Sequence, residues 1–435
     1  MKLTIDSLAH GGDGVARAED GRAVFVTGAC PGDVVSAVVT EEHDRYLRAT
    51  VVEVLEPSPE RRRPPCPYFG ECGGCQWQHV SHAAQVVAKR QAVIDALTRI
   101  GGVTQPLVEE VLTGGHAYGY RNKVELTVGE DARGGLVLGL SAIGTQRLVP
   151  VESCLLLPEK RRAYPKALAG ALRFLSRGGP LGLSRVAIRS AARTGDVEVD
   201  LWAAPGPFAR AAAVRTLSSA VRFETLTRVL ARGDVKSRDV SNVEVLAGQG
   251  YLRERMNGFE YRVSAPSFFQ VNTPVAESMT ALVLAELAPD GSDRVLDVYA
   301  GVGTFTLPLA DLAGEVVALE SYGPAVRDLR RNIDHAGVDV DLAPGDAARA
   351  LPDVGSADLA VVDPPRSGLT DAAAAAIAGC GPRRIVYVSC DPATLARDVA
   401  RLRTHGYSFV RATPVDLFPQ TYHTETVAVL DRDRS

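Results

Sequence analysis

Three residues in the last quarter of the chain carry side chains that could make and break covalent bonds. They are Cys390 in IVYVSCDPATLARD, Asp363 in DLAVVDPPRSG and Glu425 in YHTETVAVL. A thiolate is a nucleophile and a carboxylate is a proton acceptor. Cys390 follows the β-formers Ile385–Val388 and precedes Asp391 and Pro392, an N-cap residue and a first helical residue. The spacing therefore places it between the carboxyl end of a strand and the start of a helix. That helix end favours the thiolate, whereas the neighbouring Asp391 opposes it. Taken alone, Cys390 also reads as a small buried hydrophobe, and Glu425 as an edge carboxylate in water.

A second group of residues could hold a ligand. VLDVYAGVGTFTLPLA is a hydrophobic strand, a turn containing Gly301 and Gly303, and a helix. Glycines there let the backbone approach a ligand at the carboxyl end of the first strand of a doubly wound sheet. The three-glycine dinucleotide fingerprint is absent. Glu320 closes the next strand, EVVALE, where a carboxylate can accept both hydroxyls of a ribose; Asp297 can orient the loop or hold an ammonium, and Asp346 lies in register. A ribose and an ammonium without a pyrophosphate cradle point to S-adenosylmethionine. A methyl donor, a thiolate and a carboxylate base suit one reaction: thiolate addition at C6 of uracil makes C5 nucleophilic, and the base then removes the C5 proton. Arg366 stands where amino-group methyltransferases often carry an aromatic, and DPPRSG lacks the cysteine expected for cytosine-C5 chemistry.

The third group is Cys66, Cys72 and Cys75, spaced C-x5-C-x2-C around Gly73-Gly74, with Cys154 as the candidate fourth ligand. Four thiolates suit structural zinc or a [4Fe–4S] cluster, and spacing does not choose between them.

These groups need elements to position them. The 435 residues, 46% hydrophobic and 23% charged, suit several soluble domains. No apolar run approaches membrane-spanning length and the start lacks a signal peptide, so a cytoplasmic protein is expected. Residues 281–360 hold 14 Asp/Glu against 5 Lys/Arg, a net of −9 within a total of −4. The basic remainder, including the span Arg185 to Arg238, weakly favours a polyanion partner. Residues 1–56 read as short strands of a small β-barrel of the oligonucleotide-binding kind, and residues 118–260 as an α+β module. From about residue 261 strands alternate with helices, which predicts a Rossmann-like doubly wound α/β sheet.

Together these features resemble the RNA uridine-C5 methyltransferases, in particular the iron–sulfur branch with an N-terminal TRAM domain. The motifs carrying the resemblance are the cysteine spacing, YRNK, SFFQVN, DVYAGVGTF, DPPRSG, SCDPATLARD and HTETV. The resemblance implies Cys390 as nucleophile, Glu425 as base and Asp363 as a contact to uracil or donor. It also implies that Gln270, Tyr299, Glu320 and Asp363 line the S-adenosylmethionine pocket, and that Cys66, Cys72, Cys75 and Cys154 hold [4Fe–4S]. Thr304 stands where many relatives have Asn and Ala300 where many have Cys, so a donor contact at Thr304 differs. Phe268 and Phe269 could flank an extruded base. The implied organisation is a TRAM-like barrel over 1–57, a central iron–sulfur domain over 58–82 and 114–260, and a catalytic domain over 83–113 and 261–435. The expected partner of this monomer is a structured RNA, ribosomal before transfer RNA. The alternative of another class is a non-catalytic RNA-binding or remodelling protein.

Overall fold

Turn residues such as Gly11-Gly12 and Pro31-Gly32 divide the N-terminal region into short strands. The computed structural model, which describes residues 1–232 and 239–433, joins these strands into one six-stranded sheet. Its order is Lys2–Thr4, Val34–Glu42, Tyr46–Glu56, Ala23–Thr27, Gly14–Arg17, Ser7–Leu8. The outermost strands are consecutive in the chain: Leu3 pairs with Val35 and Leu8 with Gly14, so residues 2–8 reach from one edge of the sheet to the other. Leu3, Ile5, Val24, Val26, Val35 and Leu47 alternate inward to fill it.

A seven-stranded sheet forms the middle of the molecule, with Leu183–Ser190 and Val197–Ala203 at its centre. Helices Tyr164–Ser176 and Arg210–Ala220 contribute to the apolar core over one face, around Leu126, Ile188 and Val199. This region corrects the charge argument drawn from the span 185–238 for three of its arginines, while Arg193, Arg210 and Arg222 stay at the surface. Arg189 is buried and pairs with Glu198 at 3.3 Å, Arg228 is buried and pairs with Glu244 at 3.4 Å, and Arg185 lies over the Trp202 ring at 4.0 Å. These cations are spent inside the sheet and do not face a polyanion. Arg238 lies outside the described residues.

The C-terminal sheet contains β1 (Arg294–Val298), β2 (Glu315–Glu320), β3 (Asp341–Pro344), β4 (Leu359–Val362), β5 (Arg384–Ser389), β6 (Tyr407–Val415) and β7 (Glu425–Arg432). Their order is β3-β2-β1-β4-β5-β7-β6. The first five strands are parallel, and β7 runs antiparallel to both its neighbours. Burial on both faces explains why β1, β4 and β5 are nearly continuous apolar runs. The alternation of strands and helices in the sequence overlooks β6, whose apolar pattern is broken by Pro414 and by a register shift between Phe409 and Arg411. Helix His82–Arg99, although it follows the cysteines, sends Val93 and Leu97 into the same core as Leu395 and Val399 of helix Pro392–Arg403. Helix Thr273–Leu287 belongs to a second core that includes Val295, Val361, Val386 and Val427.

Candidate active site

The strand register assembles one rim. Val298, Val362 and Tyr387 stand abreast on β1, β4 and β5, so Tyr299 and Asp363 emerge together at the carboxyl ends of these strands. Ser389 pairs with Thr426, which brings Cys390, one residue beyond β5, against Glu425 at the start of antiparallel β7. Asp391 caps helix Pro392–Arg403 by accepting the Thr394 amide at 2.8 Å, and Pro392 takes the first position. Thus Cys390, Glu425 and Asp363 share the end of the sheet. Cys390 is partly exposed there, unlike a core cysteine, whereas Glu425 is only 4% exposed and is not an edge carboxylate in water.

The electrostatics of the rim weigh the two opposing influences on Cys390. Burial, and then the charges of Glu425, Asp363 and Asp391, push the Cys390 thiol up to about 12; the Arg366 guanidinium acts the other way. In the ligand-free chain the helix end therefore does not make Cys390 a thiolate. Burial raises Glu425 well above the usual carboxylate range, assisted by Asp363 and opposed by Arg366. Burial also lifts Asp363 to about 7, with Asp297 and Glu320 adding repulsion. Desolvation and like charge both favour the neutral acids.

The donor crevice lies at the ends of β1 and β2. Tyr299 adopts φ +70°, a left-handed conformation that a non-glycine residue keeps only where its surroundings enforce it. Gly303 has φ +99°, and a Cβ there would lie 2.9 Å from Leu329 Cδ1. Glu320 accepts the Gly301 amide at 2.9 Å and the Tyr322 amide at 2.7 Å, tying the glycine turn to β2. Asp297 is buried and accepts from the Thr306 hydroxyl at 2.5 Å through one oxygen, while its Oδ1 has no hydrogen-bond partner among the described residues. Burial raises that carboxyl to about 7. An unpartnered buried acceptor beside a glycine turn fits the ammonium of S-adenosylmethionine. Asp346 caps helix Ala347–Val354 and is exposed. Thr304 is buried, and its carbonyl accepts from the Tyr261 hydroxyl at 3.4 Å.

Gln270 is buried, held through its carbonyl by Asn122 Nδ2 at 2.8 Å. Asn122 belongs to YRNK, and Tyr120 of the same motif donates from its hydroxyl to the Pro419 carbonyl at 3.0 Å. The motif therefore clamps both SFFQVN and the loop leading to Glu425. Phe268 and Phe269 part company: Phe269 is buried against Tyr261 with ring centres 5.5 Å apart, whereas Phe268 is 59% exposed. Only Phe268 is free to meet a base. Sequence reasoning missed Asp416, which is buried and accepts from Lys89 Nζ at 2.5 Å and meets His82 Nε2 at 2.6 Å. It also missed His423, whose pKa burial lowers to about 4. No local signal links Lys89 to Asp416, 327 residues away.

Cys66, Cys72, Cys75 and Cys154 are all free thiols in one partly buried neighbourhood. Burial pushes Cys75 up to about 12, with repulsion from Cys154, Cys72 and Cys66 adding to it. Cys72 Sγ accepts the Gly74 amide at 3.4 Å. Among the described residues, no group of three or more His, Cys, Asp or Glu side chains has the spacing that would hold a metal ion.

Comparison with known proteins bears on this arrangement. A family model described as the TRAM domain matches residues 1–52, and one described as tRNA (Uracil-5-)-methyltransferase matches residues 217–343 and 354–433. An uncharacterized RNA methyltransferase of Gloeobacter violaceus is 36% identical over 99% of this chain and 96% of its own. The 23S rRNA (uracil(1939)-C(5))-methyltransferase of Chromohalobacter salexigens is 36% identical over 99% of this chain and 89% of its own. The crystal structure of the Pyrococcus abyssi tRNA (uracil-54, C5)-methyltransferase in complex with S-adenosyl-L-homocysteine superposes with a TM-score of 0.76. It has 25% identity and covers 99% of this chain and 100% of that one.

Proposed function

The chain belongs to the RNA (uracil-5-)-methyltransferases, which use S-adenosylmethionine, and on that premise we propose that it methylates a uridine in structured ribosomal RNA through a covalent adduct with Cys390. The observation that carries the mechanism is the pairing of Ser389 with Thr426, which sets the thiol beside a buried carboxyl at the methyl-donor end of the sheet. The ribosomal substrate is supported by the Chromohalobacter relative, which aligns over nearly the whole chain at higher identity than the transfer RNA enzyme of Pyrococcus.

S-adenosylmethionine would supply the methyl group, and Asp297, Tyr299, Gly301, Gly303, Glu320 and Asp346, with Gln270, Thr304 and Asp363, would hold it. Cys390, partly exposed, first gives its proton to water, a step that Arg366 favours by stabilising the thiolate. Its sulfur then forms a bond to C6, and the displaced π electrons make C5 a nucleophile. C5 takes the methyl group as the donor's carbon–sulfur bond breaks. Glu425 accepts the C5 proton; the freed electron pair restores the ring double bond and expels the Cys390 thiolate. A base that acts in this way must itself be ionised, so the raised affinity of Glu425 for protons makes it strong once the site is charged. Phe268 is available to stack on the extruded or neighbouring base.

Cys66, Cys72, Cys75 and Cys154 would hold a [4Fe–4S] cluster that fastens the central segment; the repulsion their sulfurs would feel as thiolates supports a shared cationic centre. Iron and sulfide analysis of anaerobically purified protein, with visible absorbance, tests this independently of activity. The organisation into 1–57, 58–82 with 114–260, and 83–113 with 261–435 is supported by the burial of helix His82–Arg99 in the C-terminal core.

The catalytic proposal is tested with labelled donor and ribosomal or transfer RNA. Cys390→Ala should abolish transfer, and Glu425→Gln should accumulate a methylated protein–RNA adduct that survives denaturation. Free release of 5-methyluridine by Glu425→Gln would remove the residue from the base role. Label in transfer RNA alone would replace the substrate but keep the chemistry.

A further inference from the structure

The N-terminal sheet meets the catalytic rim at its first turn. Its first turn, Ala9–Asp13, folds back on itself through the Ala9 amide and the Asp13 carbonyl at 2.8 Å. Gly11 and Gly12 take φ of +121° and +106°, and a Cβ at Gly12 would lie 3.1 Å from Gln76 and 3.5 Å from the Tyr422 ring. Trp77, buried, donates its indole N–H to the Gly12 carbonyl at 3.0 Å. The turn is thereby pressed between the segment after Cys75 and the loop before Glu425. Its side chain at the tip is His10. The ring lies edge-on to Tyr422 with centres 5.4 Å apart, Tyr422 rests on His423 at 4.4 Å, and His10 Nε2 meets Asp391 Oδ2 at 3.3 Å.

We propose that this turn is part of the active-site rim and that His10 is a positioning residue for Cys390. The proposal rests on Cys390 being the nucleophile. Asp391 is the next residue in the chain, and its two oxygens are divided: Oδ1 takes the Thr394 amide and Oδ2 takes His10. His10 therefore fixes the carboxylate that starts the helix and draws its charge away from the neighbouring sulfur. The His10 contact leads the forces that hold the Asp391 carboxyl well below the usual carboxylate range. The other groups facing this pair are Cys390 beside Asp391, Arg366, Asp363 and Glu425 along the rim, and Tyr422 and His423 behind His10. Within the turn, Asp13 is engaged by Arg48 at 3.1 Å and by the Thr27 hydroxyl at 2.8 Å, so it does not compete for His10. Of the three carboxylates acting on the thiol, Asp391 ranks behind Glu425 and Asp363, which makes the expected effect modest.

Alkylation of Cys390 by iodoacetamide, followed by peptide mass spectrometry on the full chain across a pH series, reads the thiol without RNA or donor. His10→Ala should slow it by about two- to five-fold, the range of an ion pair about one-third exposed. Adding Asp391→Asn to that variant should restore the rate, because Asn caps a helix as well as Asp but carries no charge. In methyl-transfer assays His10→Ala should lower kcat by a similar factor and leave KM for RNA unchanged. An unchanged alkylation profile, a double variant as slow as His10→Ala, or a rise in KM alone would overturn the role. Alkylation that follows the expected pattern in a protein that transfers no methyl group would keep His10 and remove the methylation reading.

Discussion

Asp416 and Glu425 stand nine residues apart at the same edge of the molecule, both almost fully buried, and their surroundings are opposite. Asp416 has Lys89 on one oxygen and His82 on the other; although burial raises its pKa, these partners hold the carboxyl below its usual range. Glu425 faces another acid, Asp363, the Cys390 thiol and the outlying Arg366, and is held well above its usual range. The fold satisfies the first carboxylate itself and leaves the second for something that arrives. The same division separates Asp293, held by Arg383 at 2.6 Å, from Asp297 four residues on, whose Oδ1 has no hydrogen-bond partner among the described residues. A buried carboxylate with fixed cations is holding structure, and one without them is held ready for a ligand or a proton.

Removing the cation from the satisfied site should have the largest effect on stability. Lys89→Met leaves Asp416 with His82 alone and should cost about 3 kcal/mol, read by denaturant unfolding. The loop from Asp416 to Glu425 should loosen, with faster amide exchange at Phe418 and Gln420. Lys89→Met combined with Asp416→Leu should recover part of the loss, because an apolar pair of similar size needs no counter-charge. Equal stability of Lys89→Met and the wild type would show that Asp416 does not depend on its partner and would collapse the contrast.

Neutralising the unsatisfied site should act with the opposite sign and more weakly. Asp363 has a folded value of about 7, above the unfolded carboxyl range near 4. Between those values the folded chain binds the extra proton, so the stability of the protein should fall as pH rises from about 4 to about 7. Asp363→Asn should flatten that fall and raise stability at the alkaline end by about 1 kcal/mol while abolishing transfer, the trade expected where a site is kept strained for function. S-adenosylhomocysteine added to the wild type should stabilise it, as any ligand of the native state does. A melting temperature that rises through this pH window would contradict the reading.

The sequence carried the parts of this arrangement that are written in single segments. Asp391 and Pro392 announce a helix start, Gly301 and Gly303 a tight turn, and the apolar runs of β1, β4 and β5 a sheet covered on both sides. With the strand order supplied by resemblance, the meeting of Cys390 and Glu425 could be anticipated. What it did not carry was pairing across distance. Lys89 reads as one more surface cation in an amphipathic helix, and nothing near it names Asp416. His10 looks like a turn residue of a small barrel until the fold lays Asp391 beside it. Arg189 and Arg228 look like members of a basic surface span, and only the sheet register shows that Glu198 and Glu244 take them up. β6 was missed because Arg411 and Pro414 break the alternation that identifies a strand, while its neighbour β7 supplies the missing pairing.

The mildest test of the same division lies within one dipeptide. Phe269 packs against Tyr261 in the core that supports β1, and Phe268 points outward with 59% of its surface exposed. An exposed phenylalanine has no apolar burial to lose, so Phe268→Ala should change unfolding free energy by less than about 0.5 kcal/mol. If the ring is kept for RNA, the same change should weaken binding by the worth of one stacking contact, about 1–3 kcal/mol. Fluorescence anisotropy with a labelled ribosomal RNA fragment measures that directly, and donor affinity by calorimetry should stay constant. Unchanged RNA affinity would make Phe268 an idle surface residue, and the distinction between groups the fold uses and groups it reserves would then stop at the carboxylates.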